Sequence, residues 1–443
     1  MLKPNKQKII HFLALTIFVF GIGCQQEYRI RSGDATKKVQ GHEEIEVTRR
    51  YGKSLRGRVN SIPVLVLRGS YEELGEAHGV LAGKDIIRLL DSLLIPFANR
   101  GQKNVWDTKI LPASQSFVIP DDYEKELKGI FNGIKTIYPE KHDRILKSLN
   151  REVNVEDLRA LNSFGDIFLS MGGCSSFSVW GSLTANGDVI CGRNLDERYI
   201  PGKPPFMIMA REPSDLNRQS SIDINVPGMI GVSTAMNADG LTFILHDSDG
   251  IKADERIEWL PRGIVLREAI ELSRVVDSAE KIGRNFSGRA VRVSSNIHVT
   301  LSRNEFAKSP SPFVVEWDGR AKENGITVRE GDSSVLKDGI VCTNHFVNRR
   351  TEGVSASKSS RMRYALLMKL IQEYHSSKRK INEGNAIRML DSVAENGDIV
   401  TYLSVVAIPK ERKMIFAVSP GNGLSATKGE WIEITWDQIF RVL

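Results

Sequence analysis

Cysteine is scarce in this chain: Cys24, Cys174, Cys191 and Cys342 are the only four in 443 residues. That is too few for a disulfide scaffold, and thiols so far apart look individually assigned. No C-x-x-C pair occurs and the eight histidines are scattered, which argues against a zinc site. Charge of one sign is lacking too. The formal charge is +7, and it falls to +4 once Lys3, Lys6 and Lys8 of a leader are removed. No basic stripe with interleaved aromatics appears, so nucleic acid is not an expected partner. The one long apolar run, Ile9 to Ile22, is short for a membrane span. "GVLAGKD" is one residue short of a phosphate loop and ends in Asp, which excludes that reading. No repeat of fixed period is evident.

What is present suits a globular enzyme. Hydrophobic residues make up 41% and charged residues 26%, enough to bury a sizeable core. The first residues run in the order lysines, apolar stretch, Gly23-Cys24, as in a secretory signal. A cysteine directly after a small residue resembles a bacterial lipobox, which implies cleavage after residue 23, lipidation of Cys24 and a tether to the cell envelope. The polar stretch 24–60 reads as that tether.

The segment from 61 to 173 reads as mainly helical after a first strand, Ile62–Arg68. Ser70 with Glu73 three residues on is a capping-box pattern opening a helix from Tyr71 to Asn99. Helices at 121–137 and about 155–169 follow. From Cys174 the pattern changes to short β-branched runs between Asn-Gly, Asp-Gly and Pro-Gly turns. Strands are expected near 174–182, 188–195, 205–211, 219–226, 229–236, 241–246, 294–302 and 312–317, with helices near 261–273 and 277–285. Helices near 359–375 and 382–394, then strands near 400–409, 412–418 and 430–435, close the chain. Runs of strands, helices and strands again imply an α+β protein with largely antiparallel sheets.

The chemistry centres on "GGCSSFSVWGSLTANGDVICGRNLDE". Gly172-Gly173 removes side chains ahead of a thiol, and Asn186-Gly187 signals a hairpin folding residues 189–196 back beside 175–181. Period-two alternation puts Cys191, Arg193 and Leu195 on one face, and Asn194 and Asp196 on the other. A cysteine that becomes the first residue of a chain carries its own base. Its free amine has an ordinary pKa of roughly 7.7–8 against roughly 8.5 for the thiol. Freeing that amine requires cutting the Gly173–Cys174 bond, which the thiol itself can attack.

This segment resembles the start of the catalytic chain in the N-terminal-nucleophile hydrolases. It is most similar to the penicillin acyltransferase-like (isopenicillin-N acyltransferase) family, with choloylglycine hydrolases and acid ceramidases as more distant kin. "VLRGSYEELGEAHGVLAGK", "MNADGL", "SSNIHVTLSRN", "VVEWDG", "VCTNHF" and "SSRMRYALLMKL" resemble further blocks of that family, in order. The resemblance implies a four-layer αββα fold and a catalytic chain from 174 to 443. It implies no metal or organic cofactor, and a small-molecule acyl amide as substrate.

It further implies that Cys174 is the nucleophile and its amine the base. Asp196 would hold the amine, and Arg193 would contact the substrate or Cys174. Asn344 would donate to the oxyanion, and Arg361 would sit near the thiol. His246 and Asp247 stand where choloylglycine relatives carry an oxyanion Asn, so the second donor is unassigned. The residues alone leave other readings open. Arg193 and Asp196 would serve equally as a surface ion pair, and Asn344 as a turn cap. His345 would suit a Cys–His dyad, and His78 reads as a packing residue. Cys191 and Cys342 read as buried thiols, with a disulfide between them as the alternative. The rival functions are a lipid amidase or phospholipase-like hydrolase on the same scaffold, and a binding lipoprotein without chemistry.

Overall fold

Alternation along Ile62–Gly69 shows how the layers form. Leu65 and Leu67 turn to one side and Val64 and Val66 to the other, all fully buried, so this strand is covered on both faces. The computed structural model describes residues 39–40 and 44–442. Positions 100, 103, 168–171, 201–205, 253–257, 303–310, 320–324, 332–335 and 351–355 are excepted. The leader and Cys24 lie outside the described residues. Among those described, no helix is long and apolar enough to cross a membrane.

Two large sheets dominate. In the seven-stranded sheet the order is Val39–Gln40, Trp431–Thr435, Lys413–Val418, Ile399–Ile408, Ile190–Arg198, Gly172–Val179 and Gly339–Cys342. The ten-stranded sheet runs from Ile326–Glu330 through Phe313–Trp317, Val293–Thr300, Thr242–Lys252, Thr234–Asn237, Ser221–Asn225, Met207–Pro213 and Ile62–Gly69 to Ser54–Val59 and Glu46–Tyr51. Pairing is antiparallel except for Ile62–Gly69 with Met207–Pro213 and Val39–Gln40 with Trp431–Thr435.

The core divides by sheet face. Leu65, Leu67, Met207 and Met209 pack against Leu81, Ile86, Leu127, Ile130 and Leu161 of the helices Tyr71–Asn99, Asp121–Ile137 and Val155–Ile167. Val64, Val66, Ile208 and Ile222 meet Leu403, Val405, Phe416 and Ile432 of the other sheet. That sheet's other face sets Phe177, Val179, Val406 and Ile415 against Leu367, Ile371, Ile387 and Leu390 of the helices Lys358–Ser376 and Glu383–Ser392. Arg262–Leu272 and Ala279–Gly283 cover the far end of the ten-stranded sheet.

Two expectations need correction. The stretch 24–60 is not all tether, because Glu46–Tyr51 and Ser54–Val59 pair into the large sheet and bury Leu55 and Val59. Glu46–Tyr51 is an exposed, charged edge strand, a composition that mimics a linker. Asn186-Gly187 is not a two-residue turn between strands. Pairing ends at Val179↔Ile190, and the loop between carries a short 3₁₀ turn, Gly181–Leu183. The capping box is present: Ser70 Oγ accepts from Glu73 N (3.3 Å) and Glu73 Oε2 accepts from Ser70 N (2.7 Å).

Candidate active site

Gly172–Val179 sits between Ile190–Arg198 and Gly339–Cys342. The register Cys174↔Leu195, Ser176↔Arg193 and Ser178↔Cys191 puts these six side chains on one face. Gly173↔Asp196 and Ser175↔Asn194 occupy the opposite face. The alternation expected from sequence therefore holds. Arg193 and Asp196 approach Cys174 from opposite sides of the sheet. Arg193 Nη2 lies 3.7 Å from Cys174 Sγ and donates to Leu245 O (3.4 Å). Arg193 is almost fully buried, yet its Nε and Nη1 have no hydrogen-bond partner in the protein.

On the other face Asp196 Oδ1 accepts from Thr401 Oγ1 (2.6 Å), while Oδ2 lies 3.9 Å from Arg363 Nη1. Arg363 is the best-tied side chain here. It donates to Cys174 O (2.5 Å), Ser175 Oγ (2.8 Å), Asn344 Oδ1 (2.9 Å) and Ser359 Oγ (3.2 Å). Asn344 Oδ1 also accepts from Cys174 N (2.8 Å), and its Nδ2 donates to Asp247 O (2.8 Å). These partners fix which end of the amide is oxygen, and leave one Nδ2 hydrogen uncommitted.

The placement of Asn344 follows from a helix start. Ser357 caps Lys358–Ser376, and Ser360 in its first turn accepts from Asn344 N (2.9 Å) and contacts His345 Nδ1 (2.8 Å). Asn344 is therefore no free turn cap. His345 Nδ1 contacts Ser360 Oγ (2.8 Å) and Thr343 Oγ1 (3.1 Å), and His345 is not among the residues that line the cavity on Cys174, so the Cys–His dyad gains no support. Arg363 lies on the same helix face as Ser360, in a buried stripe with Leu367 and Ile371. Arg361, expected near the thiol, is exposed. Two residues rotate a helix by about 200°, which turns Arg361 away from the face that carries Arg363. An arginine in an otherwise apolar helical stripe is the sequence signal that marks Arg363.

Burial pushes the Cys174 thiol up to about 12, with Arg193 pulling against it. Burial likewise raises Asp196 to about 6, opposed first by Arg363. A buried polar chain adjoins the nucleophile strand. Ser176 Oγ lies 2.8 Å from His246 Nε2 and 2.7 Å from His298 Nδ1, and Ser178 Oγ lies 2.9 Å from His298 Nε2. Burial holds His246 well below the ordinary histidine range and His298 down to about 3, so both rings are neutral. Ser176 has one hydroxyl hydrogen and must donate to one ring and accept from the other. Sequence reading did not find this chain, because its members come from three strands.

The remaining candidates are structural. His78 is buried and accepts from Gly228 N (3.1 Å), as a packing residue would. Cys191 and Cys342 are buried free thiols. They sit on strands that flank Gly172–Val179 from either side, opposite Ser178 and Ser176, so two strand spacings of roughly 4.8 Å and a two-residue stagger put them beyond the roughly 7 Å limit for a disulfide.

A cavity of about 250 Å³ opens on Cys174. Cys174, Arg193, Asp196, Asp247 and Asn344 are in its lining, and its wall is mostly apolar, with Leu89, Leu93, Leu161 and Phe164. Arg262, also in the lining, is engaged by Asp166 (2.5 Å) and Asp247 (2.6 Å).

No family model matches the chain, and no curated protein matches it. Among solved structures it is similar to a conjugated bile acid hydrolase from Clostridium perfringens, with 10% identity, 60% of this chain and 93% of that chain covered, and a TM-score of 0.40. It is also similar to a penicillin V acylase from Agrobacterium tumefaciens (13%, 59% and 86%, 0.38). A third is an N-acylethanolamine-hydrolyzing acid amidase ortholog from Caenorhabditis elegans (15%, 53% and 93%, 0.33). Likenesses this loose carry no functional weight, which leaves the geometry around Cys174 to carry it.

Proposed function

We propose that the chain is a cysteine N-terminal-nucleophile hydrolase of αββα architecture. It would cut linear amides through a thioester on Cys174, with acyl transfer to an amine as the companion reaction where water is excluded. The observation that carries this reading is the 2.8 Å hydrogen bond from the main-chain nitrogen of Cys174 to Asn344 Oδ1, two residues that line a mostly apolar cavity. A main-chain nitrogen held this way at the third residue of a strand becomes a positioned base once the bond to Gly173 is cut.

As long as that bond is intact the nitrogen is an amide without basicity, and burial keeps the thiol protonated. After the cut, the amine accepts the thiol proton, Sγ attacks the substrate carbonyl, and the amine returns the proton to the leaving nitrogen. Arg193 stabilises the thiolate through Nη2. The spare Nδ2 hydrogen of Asn344 supports an oxyanion role for it. Asp196 and Arg363 hold the strand end from the opposite face. The leader residues support a lipid anchor at Cys24, and a cell-envelope location is part of the proposal.

Intact mass and N-terminal sequencing of the purified protein test it. Two fragments are expected, the second beginning at Cys174, and Cys174→Ala should stay whole and inert. Turnover by a chain whose residues 173 and 174 remain joined would overturn the reading.

A further inference from the structure

We propose that Asn296 and Glu316, a cross-strand pair away from the thiol, are positioning residues that grip the loop carrying Asn344. This rests on the reading of Cys174 and Asn344 above. Asn344 lies two residues beyond the strand Gly339–Cys342, where no ladder fixes the main chain. An amide serves an oxyanion only if its nitrogen is held within a fraction of an ångström. That rigidity has to come from something other than strand pairing.

Its source is the ten-stranded sheet. Val293–Thr300 and Phe313–Trp317 pair with Asn296 directly opposite Glu316. Ile297, Val299 and Val315 pack toward the helices Arg262–Leu272 and Ala279–Gly283. Alternation therefore turns Asn296 and Glu316 to the opposite face, where Val314 packs against Ile340 and Cys342 of the other sheet. Both polar side chains are buried. Asn296 Nδ2 donates to Thr343 O (3.0 Å) and His345 O (2.9 Å), one hydrogen for each. Glu316 Oε1 accepts from Val347 N (2.7 Å), Oε2 accepts from Arg349 N (2.5 Å), and each oxygen lies 3.1 Å from Asn348 N.

These bonds bracket Asn344. The peptide before it is held at both polar atoms, Thr343 O by Asn296 and Asn344 N by Ser360 Oγ. The chain after it is held at His345 O and at three successive N–H groups. An apolar pair of the same size would fill the space, but would leave all those loop groups without their partners. Neither Asn296 nor Glu316 lines the cavity on Cys174. Their route to the chemistry runs through Asn344.

The test uses the full-length chain with Glu316→Gln, Asn296→Ala and Asn344→Ala, singly and with each of the first two combined with the third. Two rates are read: self-cleavage of the uncut chain, and turnover of hexanoyl aminomethylcoumarin per mole of cut chain. Glu316→Gln and Asn296→Ala should each slow self-cleavage and lower kcat on the order of 10- to 100-fold, with KM within about 2-fold of the wild type. In the Asn344→Ala background the same changes should alter either rate by less than about 2-fold, because the group they position is gone. Losses that multiply in the doubles mark a general scaffold role and overturn the proposal, as does wild-type kcat in either single variant. If Glu316→Gln does not fold, Asn296→Ala carries the cycle. If Asn344→Ala yields no cut chain, the split of kcat from KM in the single variants decides. If the wild type is cut but inert on this amide, the self-cleavage rates decide. A wild-type chain left whole and inert overturns the underlying reading, and the positioning role with it.

Discussion

Arg267 and Arg193 are both fully buried arginines, and their surroundings differ in kind. Arg267 donates to Glu271 Oε1 (2.8 Å) and Ile230 O (3.0 Å), lies 2.7 Å from Glu126 Oε2, and stacks near the rings of Tyr71 and Tyr123. Both tyrosine hydroxyls donate to Glu271 Oε2. None of these residues lines the cavity. Arg193 faces a thiol at 3.7 Å, keeps Nε and Nη1 without a hydrogen-bond partner and borders the cavity. Buried charge by itself thus says little about chemistry. Around Arg267 it bonds the first helices to Arg262–Leu272, joining residues that precede Gly173 to residues that follow Cys174. Such a joint would keep the two fragments together after cleavage. Around Arg193 the charge is left partly unspent, beside a nucleophile that substrate can reach.

Four substitutions sharpen or break this contrast. Arg267→Met should cost about 3–5 kcal/mol by leaving Glu126 and Glu271 buried without their cation, read as a lower denaturation midpoint. The activity of the folded fraction should stay at the wild-type level, and a loss of activity without a loss of stability would break the comparison. Asn344→Ala should act mainly on chemistry. It should lower the kcat of the folded fraction about 10²- to 10³-fold, with a stability loss of roughly 1–3 kcal/mol from unpairing Cys174 N and Arg363 Nη2.

Asp196→Asn should separate stability from function by pH. Burial raises the carboxyl from its ordinary value of about 3.8 to about 6. The folded chain therefore holds this proton more tightly than the unfolded chain. The stability it contributes is full below about pH 4 and is lost as pH rises through about 6. Asn should accordingly stabilise the protein by roughly 1–3 kcal/mol at pH 8, give no gain at pH 4, and impair self-cleavage at both. A midpoint for the variant that gains nothing at pH 8 would remove burial as the governing cause.

The smallest effect is expected from Ser176→Ala. It leaves ring nitrogens of His246 and His298 without their shared hydroxyl, at about 1–3 kcal/mol, with processing retained. Complete loss of processing would move the Ser–His chain from scaffold to machinery.

Much of the helical frame could be read from residues. Tyr71–Asn99 and Asp121–Ile137 emerge at the expected boundaries, because a capping box, a following proline and a sustained apolar period are local signals. Strands Ile326–Glu330 and Gly339–Cys342 lie outside the strands expected from sequence, and the charged hairpin 46–59 has the composition of a linker. An edge strand or a short buried one has no local signature that its partners do not supply. At the site, Cys174, Arg193, Asp196 and Asn344 line one cavity. Arg361 does not, because helix phase cannot be fixed until the buried face is known.

The residues alone determined a thiol preceded by two glycines, the alternation that divides Arg193 from Asp196, and the helices that frame them. These depend on backbone sterics and period, which act within a few positions of chain. Tertiary structure alone decided that Arg363 meets the Cys174 carbonyl, that Asn344 Oδ1 receives the Cys174 nitrogen, and that His246 and His298 share Ser176. Each of those joins residues dozens to nearly two hundred positions apart, and only the docking of two sheets and a helix brings them within hydrogen-bond reach.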